Sequence, residues 1–173
     1  MKKCLAFFCF IFLSLSSPVY ADYVLPYPSY MPGNKLYQIS RALDILSQWW
    51  YWGNIASVKY HLKLADKYIV EAKTLFEYRQ YLLANNALDR SNKQFQMLHF
   101  FIERAQREGK DTKFLQLQVR EATQKHINIL ERLKDELPKE FIWIPEKTES
   151  ITLHIFSLLN SAIEVRRTML LNF

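Results

Sequence analysis

Apolar residues recur along most of this chain in alternating steps of three and four, the spacing of one face of an α-helix. The first such stripe is Leu36, Ile39, Leu43 and Leu46 or Trp50, and it predicts a helix from about Lys35 to Trp52. Asn34 stands where an N-cap is wanted, and Gly53 stands where a helix readily stops. Val58, Leu62, Ala65, Ile69, Ala72 and Phe76 predict a second helix starting near Ser57. After a tight turn at Tyr78–Gln80, a third stripe runs through Ala84, Leu88, Ser91, Phe95, Leu98, Ile102 and Ala105. Gly109 stops it and Asp111 caps a fourth helix. That helix carries Leu115, Val119, Ala122, His126, Ile129 and Leu133, and Leu137-Pro138 closes it.

Residues Lys139 to Ile144 read as an apolar loop containing Phe141, Ile142 and Trp143. Pro145 suits the first turn of a last helix, with Ile151, Ile155, Leu158, Ala162, Val165 and Met169 as its seam. Long seams joined by short turns predict an all-α fold, an antiparallel up-and-down bundle of about five helices. The three glycines, at 33, 53 and 109, suit long helices better than a β-rich fold full of tight turns.

Ahead of the bundle the pattern changes twice. Residues 1–21 have a basic start (Lys2, Lys3), an apolar core from Leu5 to Leu13, and Val19-Tyr20-Ala21 as a cleavage triplet. This is the layout of a secretory signal peptide cleaved after Ala21. Its core of nine residues is short of the roughly 20 that span a bilayer. Residues 22–33 form a Pro-rich arm, Leu25-Pro26-Tyr27-Pro28-Ser29-Tyr30-Met31-Pro32, held extended by its prolines. Leu25, Tyr27 and Met31 are too apolar for a solvated linker and are expected to dock on the bundle, near the Trp49–Trp52 end. The domain plan is therefore signal 1–21, arm 22–33 and a single bundle over 34–173.

The arm and first helices resemble a family of exported bacterial domains, the domain of unknown function family 5667. Its members open with L-P-Y-P-G-x-L-P and later read L-x-L-A-D-K-R-L-x-E-A. The matching residues here are Leu25-Pro26-Tyr27-Pro28, Met31-Pro32, Leu62-Lys63-Leu64-Ala65-Asp66-Lys67 and Glu71-Ala72. Ser29, Met31 and Tyr68 depart from the pattern, and Trp52-Gly53-Asn54 replaces the usual Asp-Pro between helices. The resemblance, over about residues 23–105, implies export and a helical fold. It supplies no catalytic residue.

Charge and cysteine content narrow the function classes. Removing Lys2 and Lys3 leaves 21 basic against 17 acidic residues, a net charge of +4. That is too dispersed to predict nucleic-acid binding, though it permits contact with anionic polymers or lipid head groups. Both cysteines, Cys4 and Cys9, lie in the signal segment, so the remaining chain offers no disulfide, thiolate ligand or cysteine nucleophile. Phe8 before Cys9 does not suit lipoprotein attachment.

Two constellations are candidates for chemistry or contact. Trp49-Trp50-Tyr51-Trp52 would spread around most of a helix, so one core face cannot hide all four. Either they wedge between the bundle end, the arm and the 141–144 loop, or some stay exposed to meet a partner, a glycan or a membrane interface. The four histidines, His61, His99, His126 and His154, fall one to each of helices two to five, with neighbours differing in height by roughly 3–8 Å. Only His126 lies on a seam, and no Glu-x-x-His, His-Glu-x-x-His or phosphate-loop motif occurs. Among the remaining polar residues, Ser91 is expected to bond its own backbone. Asp66, Lys67 and Glu71 are expected on a solvated face with Lys67 paired to Glu71, the alternative for Asp66 being a structural role in tying the arm or a loop. Arg166 and Arg167 are expected to serve the helix dipole and solubility, the alternative being binding of an anionic surface.

The reading that follows is a non-enzymatic, exported helical protein of the bacterial envelope that acts by binding or assembly. No cofactor is expected. Its partner would be an envelope protein or polymer, with self-association left open. A second reading is a metal- or haem-binding bundle using the four histidines. A third is a peripheral binder of anionic membrane.

Overall fold

The computed structural model describes residues 23–28, 30–146 and 149–171, so the expected signal segment lies outside the described residues. The element order is α1 (Lys35–Ser47), a 3₁₀ turn (Gln48–Trp50), α2 (Asn54–Glu77), α3 (Tyr81–Arg107), α4 (Lys113–Glu136), β1 (Phe141–Trp143), β2 (Ile151–Leu153) and α5 (Ile155–Leu171). The fold is an all-α bundle. Helices α2 to α5 form it, with α2 against α3 and α4, and α5 against α4 and α3. The seams on α2 and α3 are buried along their whole length, as their spacing predicts.

Two turns are closed by paired backbone bonds. After α3, Gly109 (φ 72°) lets Lys110 N reach Ala105 O and Gly109 N reach Gln106 O. Asp111 Oδ1 then accepts from Lys113 N and caps α4. After α2 the same motif is built around Arg79, a non-glycine residue at φ 59°. Gln80 N bonds Leu75 O and Arg79 N bonds Phe76 O.

Three elements differ from the sequence expectation. Helix α2 starts at Asn54, not Ser57, because Gly53 at φ 85° already turns the chain into it. The segment 139–144 is not a loop, and Pro145 does not open the last helix. Phe141–Trp143 instead pairs antiparallel with Ile151–Leu153, and α5 begins at Ile155. Strands of three residues are too short to give a period-two signal that stands apart from a helical seam. Phe141 packs its ring 4.7 Å from Tyr81 and anchors this hairpin to the bundle.

The third difference is α1. It is shorter than expected and has no buried residue. Its apolar stripe does not face the core. The side that meets the bundle is the polar one, Tyr37, Ser40, Asp44 and Ser47, also at steps of three and four.

The bundle interior is two apolar clusters. One contains Ile69, Phe76, Leu88, Leu130 and Ile163. The other contains Leu62, Phe95, Leu98, Val119 and Met169. The arm touches both: Leu25 and Met31 pack on the first, Tyr23 on the second. Tyr27, expected to dock, is 94% exposed. Pro26 and Pro28 favour polyproline II geometry with three residues per turn, which puts Leu25 and Met31 on one side of the arm and Tyr27 on another.

Candidate functional site

Between the two apolar clusters each bundle helix contributes one polar residue to a single layer: Asp66 from α2, Ser91 from α3, His126 from α4 and Arg166 from α5. All four are buried, and Arg166, His126 and Ser91 are fully so. Arg166 Nε donates to His126 Nδ1 at 3.2 Å. Its Nη1 donates to Asn92 Oδ1 (2.6 Å) and Ala162 O (2.9 Å), and its Nη2 to Ser91 Oγ (2.9 Å). Ser91 Oγ in turn donates to Ala65 O across the α2–α3 interface at 2.9 Å. The guanidinium also lies 5.1 Å from the centre of the Phe95 ring.

Because Arg166 has no lone pair to offer, His126 Nδ1 must be the acceptor. Its Nε2–H then donates to Asp66 Oδ1 at 2.8 Å. The second carboxylate oxygen, Asp66 Oδ2, accepts from the arm through Tyr23 Oη at 2.6 Å. One hydrogen-bonded chain therefore links the arm and all four bundle helices. Burial lowers the His126 pKa to about 4, with the Arg166 charge adding to the effect against the pull of Asp66. Burial lowers that of Arg166 to about 9, opposed by Asp66, so it stays charged at neutral pH. The Tyr23 hydroxyl is pushed up by burial and by the adjacent Asp66 carboxylate. A neutral imidazole with both nitrogens engaged has no free lone pair for a metal or a substrate.

A second polar group ties α1 to the bundle. Tyr37 Oη donates to Glu71 Oε1 at 2.7 Å. Arg90 Nη2 reaches both Glu71 Oε1 (2.7 Å) and Tyr37 Oη (2.9 Å). The Tyr37 hydroxyl is pushed up to about 12, first by burial and then by Glu71. Lys67 bonds Ser40 at 3.0 Å and pairs with Asp44. Tyr60 Oη donates to Asp44 O at 2.8 Å.

These contacts correct four expectations. Asp66 and Glu71 are buried, not solvated, and Lys67 pairs with Asp44 instead of Glu71. Ser91 bonds a neighbouring helix, not its own backbone. Arg166 is the largest fully buried side chain, while only Arg167 is on the surface. Formal charge hid these residues, since a charged residue on a helix is usually solvated. The available signal was position: Asp66, Ser91 and His126 all fall on or beside seams.

The histidines are not drawn together. His61 contacts Gln94 Oε1 at 2.7 Å and stacks on Phe101. His99 pairs with Glu103 (3.2 Å) and His154 with Glu140 (2.9 Å). Among the described residues, no three His, Cys, Asp or Glu side chains gather as a metal-holding group.

The aromatic run does not wedge against the arm or the hairpin. Trp49, Trp50 and Trp52 are 78%, 80% and 86% exposed. Only Tyr51 turns inward, its ring 5.2 Å from Tyr60. The stripe Leu36, Ile39, Leu43 and Leu46 is exposed beside them, so α1 and its 3₁₀ extension form one continuous apolar surface.

Against known proteins, residues 29–140 match the family described as Domain of unknown function (DUF5667). The chain belongs to that family. The matched region of the DUF5667 domain runs from the arm through α4 and contains α1, Asp66, Ser91 and His126; Tyr23 and Arg166 lie outside it. Neither the curated proteins nor the solved structures give a match. Among the described residues no helix is long and apolar enough to cross a membrane.

Proposed function

We propose that this DUF5667 protein is a non-enzymatic binding or assembly module of the bacterial envelope, exported through residues 1–21, whose contact element is α1 with its aromatic extension. The observation that carries this is the inverted docking of α1. A helix that only completed a core would turn Leu36, Ile39, Leu43 and Leu46 inward. Here Tyr37, Ser40, Asp44 and Lys67 hold it the other way, at the cost of desolvating several polar groups. An exposed apolar area of this kind on a soluble fold marks a contact surface. The polar groups most suited to chemistry, His126, Asp66 and Arg166, are each committed to holding helices together.

In-cell photo-crosslinking tests this reading. A photoreactive residue at Trp50 should give defined adducts, and one at Gln124 on the outer face of α4 should give none. Equal labelling at both positions, or none at Trp50, would remove the case for α1 as a contact element. Recovery of the chain with Met1 retained in the exported pool would remove the export step.

A further inference from the structure

Resting on that reading, we infer that the occupant of the α1 surface is a second copy of this chain, pairing α1 with α1 in antiparallel fashion. The first observation is the regularity of the surface. Leu36, Ile39, Leu43, Leu46 and Trp50 follow steps of three, four, three and four, and each is between 44% and 80% exposed. That is the seam one helix presents to another, with knobs at the spacing of a partner's holes.

The second observation is area. The stripe together with Trp49, which flanks it, presents on the order of 850 Å². A standard stable interface needs about 800 Å² from each partner.

The third is charge. The positions flanking the stripe are Ser40 and Ser47 on one side, and Lys35, Ala42 and Trp49 on the other. Self-pairing therefore brings together almost no like charge. In the antiparallel arrangement Lys35 of one copy lies toward Trp49 of the other, a favourable cation–ring neighbourhood. In the parallel arrangement Lys35 of one copy would instead meet Ser40 of the other. A helix lying on an anionic membrane instead carries Lys and Arg richly along its polar face. Helix α1 has only two basic residues, Lys35 and Arg41, beside Asp44, and its Tyr37, Ser40 and Asp44 side is already bound to α2 and α3. Those ties also pre-set the helix, so pairing costs little further ordering.

The test uses purified full-length processed protein in sedimentation velocity over a micromolar concentration series. The expected result is a concentration-dependent dimer. The double variant Ile39→Glu with Leu43→Glu should weaken association at least a hundredfold while leaving the circular dichroism unchanged and the thermal midpoint at that of the dissociated wild type, since neither side chain is buried in one copy. Leu43→Cys, the lone thiol of the processed chain, should give a disulfide-linked dimer under mild oxidation. A wild-type monomer throughout the series overturns the inference, as does a dimer that survives the double glutamate variant. Flotation of a monomer with phosphatidylglycerol vesicles also overturns it. A monomer that still gives Trp50 adducts of another mass in cells defeats self-pairing and leaves α1 as a contact element.

Discussion

Arg166 Nε lies 3.2 Å from His126 Nδ1, and that contact sets the charge pattern of the layer crossing the bundle. It makes Nδ1 an acceptor, so His126 is neutral and passes its one N–H to Asp66. A cation and an anion are thereby joined through a neutral ring, with Tyr23 closing the far end.

Stability should therefore fall in mild acid. The folded pKa of His126 is about 4, below its ordinary 6.5, because burial disfavours the imidazolium. The unfolded chain takes up the proton first. The stabilisation is complete above about pH 6.5 and is lost as pH falls toward 4, a change of about 3 kcal/mol for this group. Urea midpoints measured from pH 7 to 4 should decline across that window. In His126→Gln, which keeps an N–H for Asp66 but does not titrate, the decline should flatten.

The layer also predicts how substitutions combine. Arg166→Met leaves the Asp66 carboxylate buried without its charge partner, and should cost about 3–5 kcal/mol. Replacing Asp66, Ser91, His126 and Arg166 together by apolar residues of similar volume should cost far less, since no orphaned charge remains. The expected price is register. One polar group per helix at the same height admits a single alignment, whereas an all-apolar layer tolerates slippage. Amide spectra of the quadruple variant should show extra or broadened peaks, and a single sharp set would remove the registry role.

The seams of α2, α3 and α4 made most of the bundle readable, because a repeated step of three and four has one physical meaning when the stripe is buried. The same step misled on α1, where Leu36, Ile39, Leu43 and Leu46 imply a core face that α1 turns outward. Periodicity reports that a stripe wants cover, not what covers it. The layer was hidden for a different reason. Asp66 and Arg166 are about 100 residues apart, and no local pattern announces that a charged residue has a buried partner on another helix. Ser91 and His126 were visible, because each sits on a seam among apolar residues.

Arg79 holds a left-handed conformation that glycine accepts without strain, at φ 59° in the turn after α2. Both backbone bonds of that turn depend on it. Arg79→Gly should raise stability by about 0.5–1 kcal/mol, the relief of the Cβ contact less the greater freedom of glycine in the unfolded chain. Thermal melts would show an upward shift. Arg79→Val, β-branched and ill-suited to this region, should shift the midpoint downward.

The arm offers a comparison between two tyrosines four residues apart. Tyr23 donates to a buried carboxylate that also holds His126, whereas Tyr27 points into solvent. Tyr23→Phe removes one hydrogen bond to a charged acceptor and should cost about 1.5–3 kcal/mol. Tyr27→Ala should change stability by less than about 0.5 kcal/mol. Beyond the magnitude, the first change should act locally. Leu25 and Met31 still pack on the bundle, so amide exchange should accelerate most around Tyr23 and Val24 and least near Met31. If exchange rises uniformly along the arm, Tyr23 is the latch for the whole segment and the apolar contacts of Leu25 and Met31 are too weak to hold it alone. If Tyr23→Phe leaves both stability and exchange unchanged, the Asp66 carboxylate is satisfied without the arm, and the link from the arm to the layer has no energetic weight.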